Sequence, residues 1–183
     1  MKKMIESKRW VIRLLGKKDA AKLQQYYSKN KAFFKPWMPT YAPNRFQLEY
    51  VEASIVVSLD HYQKGVLLPF IVLHPITDEL IGTITYSQIQ RGVAQYCCVG
   101  YNISETWNGM GVATEALEAT NRYVFEVLNL HRIEANILPV NKGSIRVVEK
   151  LGFEKEGICK ALLKIDGHWQ DHIRYALINP LVE

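Results

Sequence analysis

The sequence is poor in cysteine. Its 183 residues include only Cys97, Cys98 and Cys159, an odd number in which two are adjacent. Adjacent residues of a strand point to opposite faces of a sheet, so these thiols suit neither a disulfide framework nor the ligand spacing of a zinc site. We therefore predict reduced, mostly buried thiols and no bound metal.

Long apolar runs are also missing. The chain has no stretch of about 18 uncharged apolar residues, the length that crosses a bilayer. Near the start, Lys2 and Lys3 resemble the basic end of a secretion signal, but Ser7, Lys8 and Arg9 stand where such a signal has its apolar region. We therefore expect a cytoplasmic protein with no membrane partner.

The scarcity of clustered positive charge disfavours another class of function. The chain carries 23 Lys and Arg against 18 Asp and Glu, a net charge of +5. The basic residues are scattered and form no stripe interleaved with aromatics, so direct sequence-specific recognition of nucleic acid is not indicated. A moderate positive charge favours an anionic ligand.

The remaining composition is typical of one folded domain, 1–183. Hydrophobic residues make up 48% of the chain, enough to bury a core, and there is no internal repeat or low-complexity segment. Hydrophobic periodicity predicts an α/β protein with the order β-α-α-β-β-β-α-β-α-β-β. The predicted strands are 10–15, 67–73, 80–89, 94–103, 132–138, 159–165 and 168–178, and the predicted helices are 19–27, 47–64, 111–128 and 141–151.

Three local signals refine this order. The pair Asp166-Gly167 predicts a two-residue type I′ hairpin turn between the last two strands. Strands 94–103 and 132–138 flank a helix, which makes a β-α-β unit with a parallel, right-handed connection. Gly100 indicates either a bulge or a place where a ligand approaches the sheet.

The segment 30–39 is aromatic, basic and interrupted by Pro36 and Pro39. Proline at these positions excludes a long helix, so an ordered loop is expected. The loop either covers the core or forms a wall that faces the substrate, with Lys35 and Trp37 as its candidate contacts.

The stretch from Trp107 to Ala116 predicts an anion site. Gly109 and Gly111 permit a tight turn, and a helix that begins near Gly111 leaves its first amides unpaired. These donors and the positive end of the helix dipole suit a phosphate or pyrophosphate. Taken alone, the same glycines would equally describe a turn that only begins a helix.

Read together in this order, the motifs resemble the GCN5-related N-acetyltransferases, abbreviated GNAT, and in particular the RimJ/RimL branch that acetylates the N-termini of ribosomal proteins. The similarity extends over nearly the whole chain. It is carried by 30–39, by Gly109-Met110-Gly111 with Thr114-Glu115-Ala116, by 131–136, by Pro139 with Asn141-Lys142 and Ser144, by 151–157 and by 165–172.

The resemblance implies a three-layer α/β/α fold whose mixed, mostly antiparallel, twisted sheet is splayed between strands 94–103 and 132–138. It implies acetyl-CoA as cosubstrate and the N-terminal α-amine of a protein as acceptor, with an alanine or serine of a ribosomal protein expected. Two alternatives stay open: a small-molecule amine as acceptor, such as an antibiotic or polyamine, and a non-catalytic module that binds CoA or a ribosomal protein. The protein is either a monomer or a homodimer.

The resemblance also implies which residues hold the cosubstrate. A backbone amide near Tyr101 to Ile103 is expected to meet the thioester carbonyl, and the glycine turn is expected to hold the pyrophosphate. The family usually has Gln or Arg where this chain has Asn108, so backbone donors should dominate there. The implied contacts are Tyr101, Asn102, Ile103, Asn108, Gly109, Met110, Gly111, Val112, Ala113, Thr114, Asn141 and Ser144.

The catalytic candidates keep their structural alternatives. Many GNAT members protonate the leaving thiolate with a tyrosine on the helix after the fifth strand, and this chain has none between 141 and 152. Ser144, where RimL-like enzymes use a serine, is the candidate donor, or else a first-turn residue bonded to the backbone. Glu134 is the candidate base, or else an ion-pair partner of Arg132.

Other polar and aromatic residues complete the expectations. Asp171 and His172 are adjacent in a strand and face opposite sides, so they cannot form a dyad. The candidate acceptor contacts are Lys35, Trp37, Tyr86 and Tyr96. For the three aromatic residues, a position in the core is the alternative.

Overall fold

A computed structural model describes residues 4–39 and 43–181 as an α/β structure built on one eight-stranded sheet. The strand order is β1-β2-β3-β4-β5-β6-β8-β7, and β5 and β6 form the parallel pair while the other neighbours are antiparallel. The strands are β1 Met4–Ile5, β2 Val11–Leu14, β3 Leu68–Leu73, β4 Leu80–Gln90, β5 Tyr96–Ile103, β6 Arg132–Ile137, β7 Glu154–Ile165 and β8 His168–Ile178.

The helices cover both faces of this sheet. They are α1 Ala20–Lys29, α2 Lys31–Phe34, α3 Leu48–Gln63, α4 Val112–Glu126 and α5 Lys142–Lys150. Phe70 and Val72 of β3 join a core with α4 and α5, whereas Ile71 and Leu73 join a second core with α1 and α3. Because alternate strand residues enter different cores, the sheet lies between two helical layers, and the expected three-layer architecture is confirmed.

Two chain reversals follow the sequence signals closely. Asp166 and Gly167 have φ values of 43° and 82°, the positive values that a type I′ turn requires at both central positions. At the end of α5, Gly152 has φ of 81°, its amide donates to Glu149 O, and the amide of Phe153 donates to Val148 O. This pair of bonds is a Schellman ending, and buried Phe153 packs back on the core.

The structure corrects several boundaries. The segment 30–39 is not an irregular loop, because it contains the single helical turn α2 and a 3₁₀ turn, Lys35–Trp37, before Pro39. Strand β7 begins at Glu154, five residues earlier than predicted, and β1 was not predicted. Gly100 pairs regularly with Thr85, and the irregularity between β4 and β5 lies between Ser87 and Gln90 instead.

The sheet opens between β5 and β6. These strands pair only at Tyr96 with Arg132, Cys97 with Ile133 and Cys98 with Glu134. Beyond Cys98, β5 stays paired with β4, and β6 pairs with β8 as far as Ile137. The predicted splay is therefore present, and it leaves a gap between 99–103 and 135–138. In the described part of the chain, no helix has the length and apolar character to cross a membrane.

Candidate functional site

A continuous cleft of about 1350 Å³ passes through the gap between β5 and β6. One end is formed by the glycine turn and the starts of α4 and α5, and the other end is formed by the segment 33–39. Pockets for small molecules usually measure about 300–1,000 Å³, so this cleft has room for two ligands placed end to end. We call the two ends the cofactor half and the acceptor half.

The glycine turn is held in an open, left-handed conformation. Gly109 and Gly111 have φ values of 78° and 79°, which side chains other than glycine rarely adopt. Gly111 is the N-cap of α4, and the first helical bond runs from the amide of Glu115 to Gly111 O at 3.1 Å. The amides of the first turn of α4, Val112 to Thr114, have no side-chain cap and line the cofactor half. Unpaired amides at a helix start suit an anion, so the predicted anion site keeps its donors here and stays a prediction.

Aromatic packing fixes the approach to this turn. Trp107, immediately before it, meets Trp10 edge to face with ring centroids 5.5 Å apart and packs on His74 at 5.0 Å. Asn108 then closes the turn, because its Oδ1 accepts the amide of Gly109 at 3.1 Å. That bond engages the Gly109 amide within the protein, so the α4 amides are the remaining donors for an anion.

Arg9 lies beside the turn, a contact that the sequence does not predict. Its Nε donates to Glu115 Oε2 at 2.6 Å, and its Nη2 is 3.2 Å from the point where a Cβ on Gly111 would lie. Burial raises the pKa of Glu115, but hydrogen bonds from Ser7 and Arg9 outweigh burial and lower that pKa overall. Glu115 therefore stays ionised and holds the guanidinium at the anion site. Arg9 and Glu115 are 106 residues apart in the chain, so no local sequence pattern could reveal their contact.

The start of α5 forms the opposite wall of the cofactor half. Asn141 caps the helix, since its Oδ1 accepts the amide of Ser144 at 3.1 Å. Tyr101 reaches across from β5 and donates its hydroxyl to Ser144 O at 3.3 Å. Burial raises the pKa of Tyr101 to about 12, so its hydroxyl remains protonated at neutral pH. Of the implied cofactor contacts, Met110 alone points away from the cleft, with 55% of its surface exposed.

A row of basic residues on α5 adds charge to this half. Lys142, Arg146 and Lys150 are spaced by four residues, lie on one face of the helix and line the cleft. Their spacing was visible in the sequence, but only the splay shows that this face meets the same cleft as the glycine turn.

The acceptor half combines an aromatic wall with polar groups from the sheet. Phe33, Trp37 and Met38 form the wall, and contact of Trp37 with an acceptor stays a prediction. Thr85 and Ser87 of β4, Asn136 of β6 and His172 of β8 form the polar surface, together with Arg45. Lys35 and Tyr96 lie outside this lining, and their contact with an acceptor stays a prediction.

Tyr86 was a candidate contact for the acceptor, but the structure shows that it is a core residue. Its side chain is fully buried, and on α4 its hydroxyl donates to Asn121 Oδ1 at 2.6 Å and lies 2.8 Å from Thr120 Oγ1. Strand alternation explains the error. Thr85 and Ser87 face the acceptor half, so Tyr86 between them faces α4.

We expect Tyr86→Phe to lower the free energy of unfolding by about 1–3 kcal/mol, because it leaves the buried amide oxygen of Asn121 without its hydrogen-bond donor. Urea denaturation measures this loss. The KM for the acceptor should not change, and an increased KM with unchanged stability would restore Tyr86 to the acceptor site.

Glu134 lies in an ion-pair network at the closed end of the β5–β6 pair. Its Oε1 accepts from Arg132 Nε at 2.8 Å, and its Oε2 lies 3.5 Å from Arg174 Nε. Arg132 also binds Glu156. Glu134 is absent from the cleft lining, so the structural alternative of an ion pair is realised, while its role as a base stays a prediction.

Asp171 and His172 face opposite sides of β8, as the sequence predicts. Asp171 accepts from Lys160 Nζ at 2.7 Å and from the amide of Ala161 at 2.9 Å on the outer strand β7. His172 is 3% exposed and lines the acceptor half. Across the residues described, no three His, Cys, Asp or Glu side chains are arranged to hold a metal ion.

Comparisons with known proteins agree with this geometry. Residues 9–154 match the family model "Acetyltransferase (GNAT) domain". The [ribosomal protein uS5]-alanine N-acetyltransferase of Escherichia coli K12 is 38% identical over 172 residues, covering 94% of this chain and 89% of that protein.

Two solved structures are similar over nearly the whole chain. The ribosomal-protein-S5-alanine acetyltransferase of Vibrio fischeri superposes with a TM-score of 0.93 at 30% identity and covers 98% of each chain. Mycobacterium smegmatis RimJ, in complex with CoA-disulfide, superposes with a TM-score of 0.91 at 26% identity and covers 96% of this chain and 87% of its own.

Proposed function

The chain belongs to the GNAT acetyltransferase family, and from this premise we propose that it transfers the acetyl group of acetyl-CoA to the N-terminal α-amine of a protein, an alanine or serine of a ribosomal protein. The observation that carries the proposal is the continuity of the cleft. Its cofactor half, its gap in the sheet and its acceptor half form one passage. An amine that enters from the acceptor half therefore meets the acetyl end of a thioester threaded through the gap.

Three features of the cofactor half support acetyl-CoA as the cosubstrate. The free amides at the start of α4 and the guanidinium of Arg9 would hold the pyrophosphate, and the unpaired edges of β5 and β6 would accept the amide-rich arm. Acetyl-CoA supplies the activated acetyl group as a thioester. The chain's own task is to orient that group, which is the main source of rate when both reactants are held close together.

Little acid–base strength is needed for this transfer. A free α-amine has a pKa of about 8 and a thiol of roughly 8.5, so neutral amine is available near pH 7 and a modest donor can protonate the leaving sulfur. Ser144, in the first turn of α5, is our candidate for that donor. The hydroxyl of Tyr101, on β5, donates to the carbonyl oxygen of Ser144 and keeps its proton at neutral pH, which supports proton donation from this wall.

The charge of the acceptor half favours a peptide over a polyamine. Among the described residues that line the cleft, Glu149 is the only carboxylate, and it accepts a hydrogen bond from the hydroxyl of Tyr175 at 3.1 Å. Arg45 lines the acceptor half with its guanidinium 4.8 Å from the centre of the Tyr27 ring. A fixed cation repels polycations but accommodates peptide carbonyl groups.

The test compares acceptors at equal concentration. Purified protein and acetyl-CoA are mixed with peptides that begin with Ala, Ser, Leu or Lys, with spermidine, or with an aminoglycoside, and thiol release is followed. We expect turnover with the Ala and Ser peptides. Turnover with spermidine or the antibiotic alone would support the small-molecule alternative, and intact CoA binding with no turnover on any amine would support a non-catalytic module.

A further inference from the structure

His172 is the one described histidine that lines the cleft, and the mechanism above does not use it. It lies on β8 in the acceptor half and is 3% exposed. Because His172 is part of the cleft wall, its imidazole would contact an acceptor bound in the acceptor half. The neighbouring strand positions explain where it lies, since Ile173 pairs with Ile137 and Arg174 pairs with Asn136 at the open end of β6.

One ring nitrogen of His172 is already engaged. Its Nδ1 lies 3.0 Å from the carbonyl oxygen of Gln170. A carbonyl oxygen only accepts hydrogen bonds, so Nδ1 carries the proton in this contact. In the neutral ring the lone pair is then on Nε2, the nitrogen that can accept a proton. The backbone of β8 thus fixes the tautomer that a general base requires.

The other candidate base in this region is occupied. Both carboxylate oxygens of Glu134 lie in ion pairs with Arg132 and Arg174, and Glu134 does not line the cleft. Asp171 is turned to the outer strand by Lys160. Among the described titratable groups of the acceptor half, His172 therefore combines access to the cleft with an available lone pair.

The hairpin that carries His172 also contacts the aromatic wall. The amide of Asp166, at the turn between β7 and β8, donates to Met38 O at 3.3 Å. Met38 and Trp37 line the acceptor half opposite the sheet. An acceptor chain that enters between this wall and β8 passes the imidazole before it reaches the gap.

We propose that Nε2 of His172 accepts the proton that the attacking α-amine loses, an inference that rests on the proposed function. The nitrogen of the α-amine forms a bond to the carbonyl carbon of the acetyl group, while the bond from that carbon to sulfur breaks. One proton passes from the amine nitrogen to Nε2 and on to solvent, the Ser144 hydroxyl gives one proton to the sulfur, and solvent returns a proton to that hydroxyl. The neutral amine and the thioester thus become an amide and a thiol, with no net gain or loss of protons.

The test uses His172→Asn in the full chain. The asparagine amide can still donate to the Gln170 carbonyl, but it has no basic nitrogen. We expect kcat for the Ala peptide to fall about 100-fold, the usual size of a general-base contribution, with the KM for acetyl-CoA and the thermal midpoint unchanged. His172→Ala should show the same fall, and added imidazole should restore part of it. Asp171→Asn, next in the chain but on the opposite face, is the matched control and should keep the full rate.

Two results would overturn the inference. One is a His172→Asn enzyme with the kcat of the unaltered protein. The other is a loss of rate that imidazole does not restore in His172→Ala and that follows a loss of acetyl-CoA binding. The proposed function is tested separately, by assaying the unaltered protein. If that protein acetylates spermidine but no peptide, the proposed acceptor is wrong, and the role of His172 is then tested by measuring kcat of the same variants with spermidine as the amine.

Discussion

Gly111→Asp is expected to weaken acetyl-CoA binding by about 100-fold or more, because it places a carboxylate at the anion site; two charges about 4 Å apart interact by several kcal/mol near a protein surface. The new carboxylate would also attract Arg9, whose Nη2 is 3.2 Å from the Cβ position, and so withdraw a cation from the phosphate. Both effects act against the anion. Isothermal titration calorimetry with CoA measures the loss.

The matched variant is Gly111→Asn, which has the same size and no charge. At φ of 79° both side chains adopt a left-handed conformation, which costs about 1–2 kcal/mol for an L-residue and less for Asn and Asp. The two variants should therefore lose similar stability in urea, while only the aspartate loses most of its affinity for CoA. Equal affinities in the two variants would mean that Gly111 serves the turn alone.

Phe70→Ala is expected to lower the free energy of unfolding by about 3–5 kcal/mol, the usual cost of emptying a buried phenylalanine site. Phe70 of β3 is 2% exposed and meets Tyr86 of β4 and Tyr123 of α4 edge to face, at centroid distances of 6.4 and 5.8 Å. Packing among these three rings holds α4 against the sheet. A loss of this size removes a large share of the stability of a typical domain.

Phe70→Leu serves as the control because it keeps an apolar side chain and leaves a smaller cavity. Urea denaturation should place its stability between that of the unaltered protein and that of Phe70→Ala. Under conditions where each variant is folded, CoA affinity should be unchanged, since Phe70 does not line the cleft. A loss of CoA affinity in folded Phe70→Leu would show that the ring cluster also shapes the anion site.

Local signals predicted the main elements of the fold and the turns and caps that line the cofactor half. The glycine turn, the cap at Asn141 and the Asp166-Gly167 hairpin depend on residues close together in the chain. Short stretches of sequence are therefore enough to predict their conformation. The splay also followed, once the motifs were read in order as a family resemblance.

Long-range contacts explain what the sequence did not predict. Arg9 reaches the anion site through Glu115, more than a hundred positions along the chain. For Tyr86 the sequence left the acceptor wall and the core open, because the face of a strand residue depends on which layer covers it, and the structure places it in the core. His172 was set aside with Asp171 as a dyad that cannot form, and only the register of β8 against β6 shows that it lines the acceptor half.

We propose that this cleft delivers acetyl groups to a protein N-terminus. Tandem mass spectrometry tests this on one peptide that begins with alanine and carries an internal lysine, after incubation with the protein and acetyl-CoA. The predicted result is one acetyl group on the alanine nitrogen and none on the lysine. Acetylation of the lysine side chain with an unmodified N-terminus would contradict the claim.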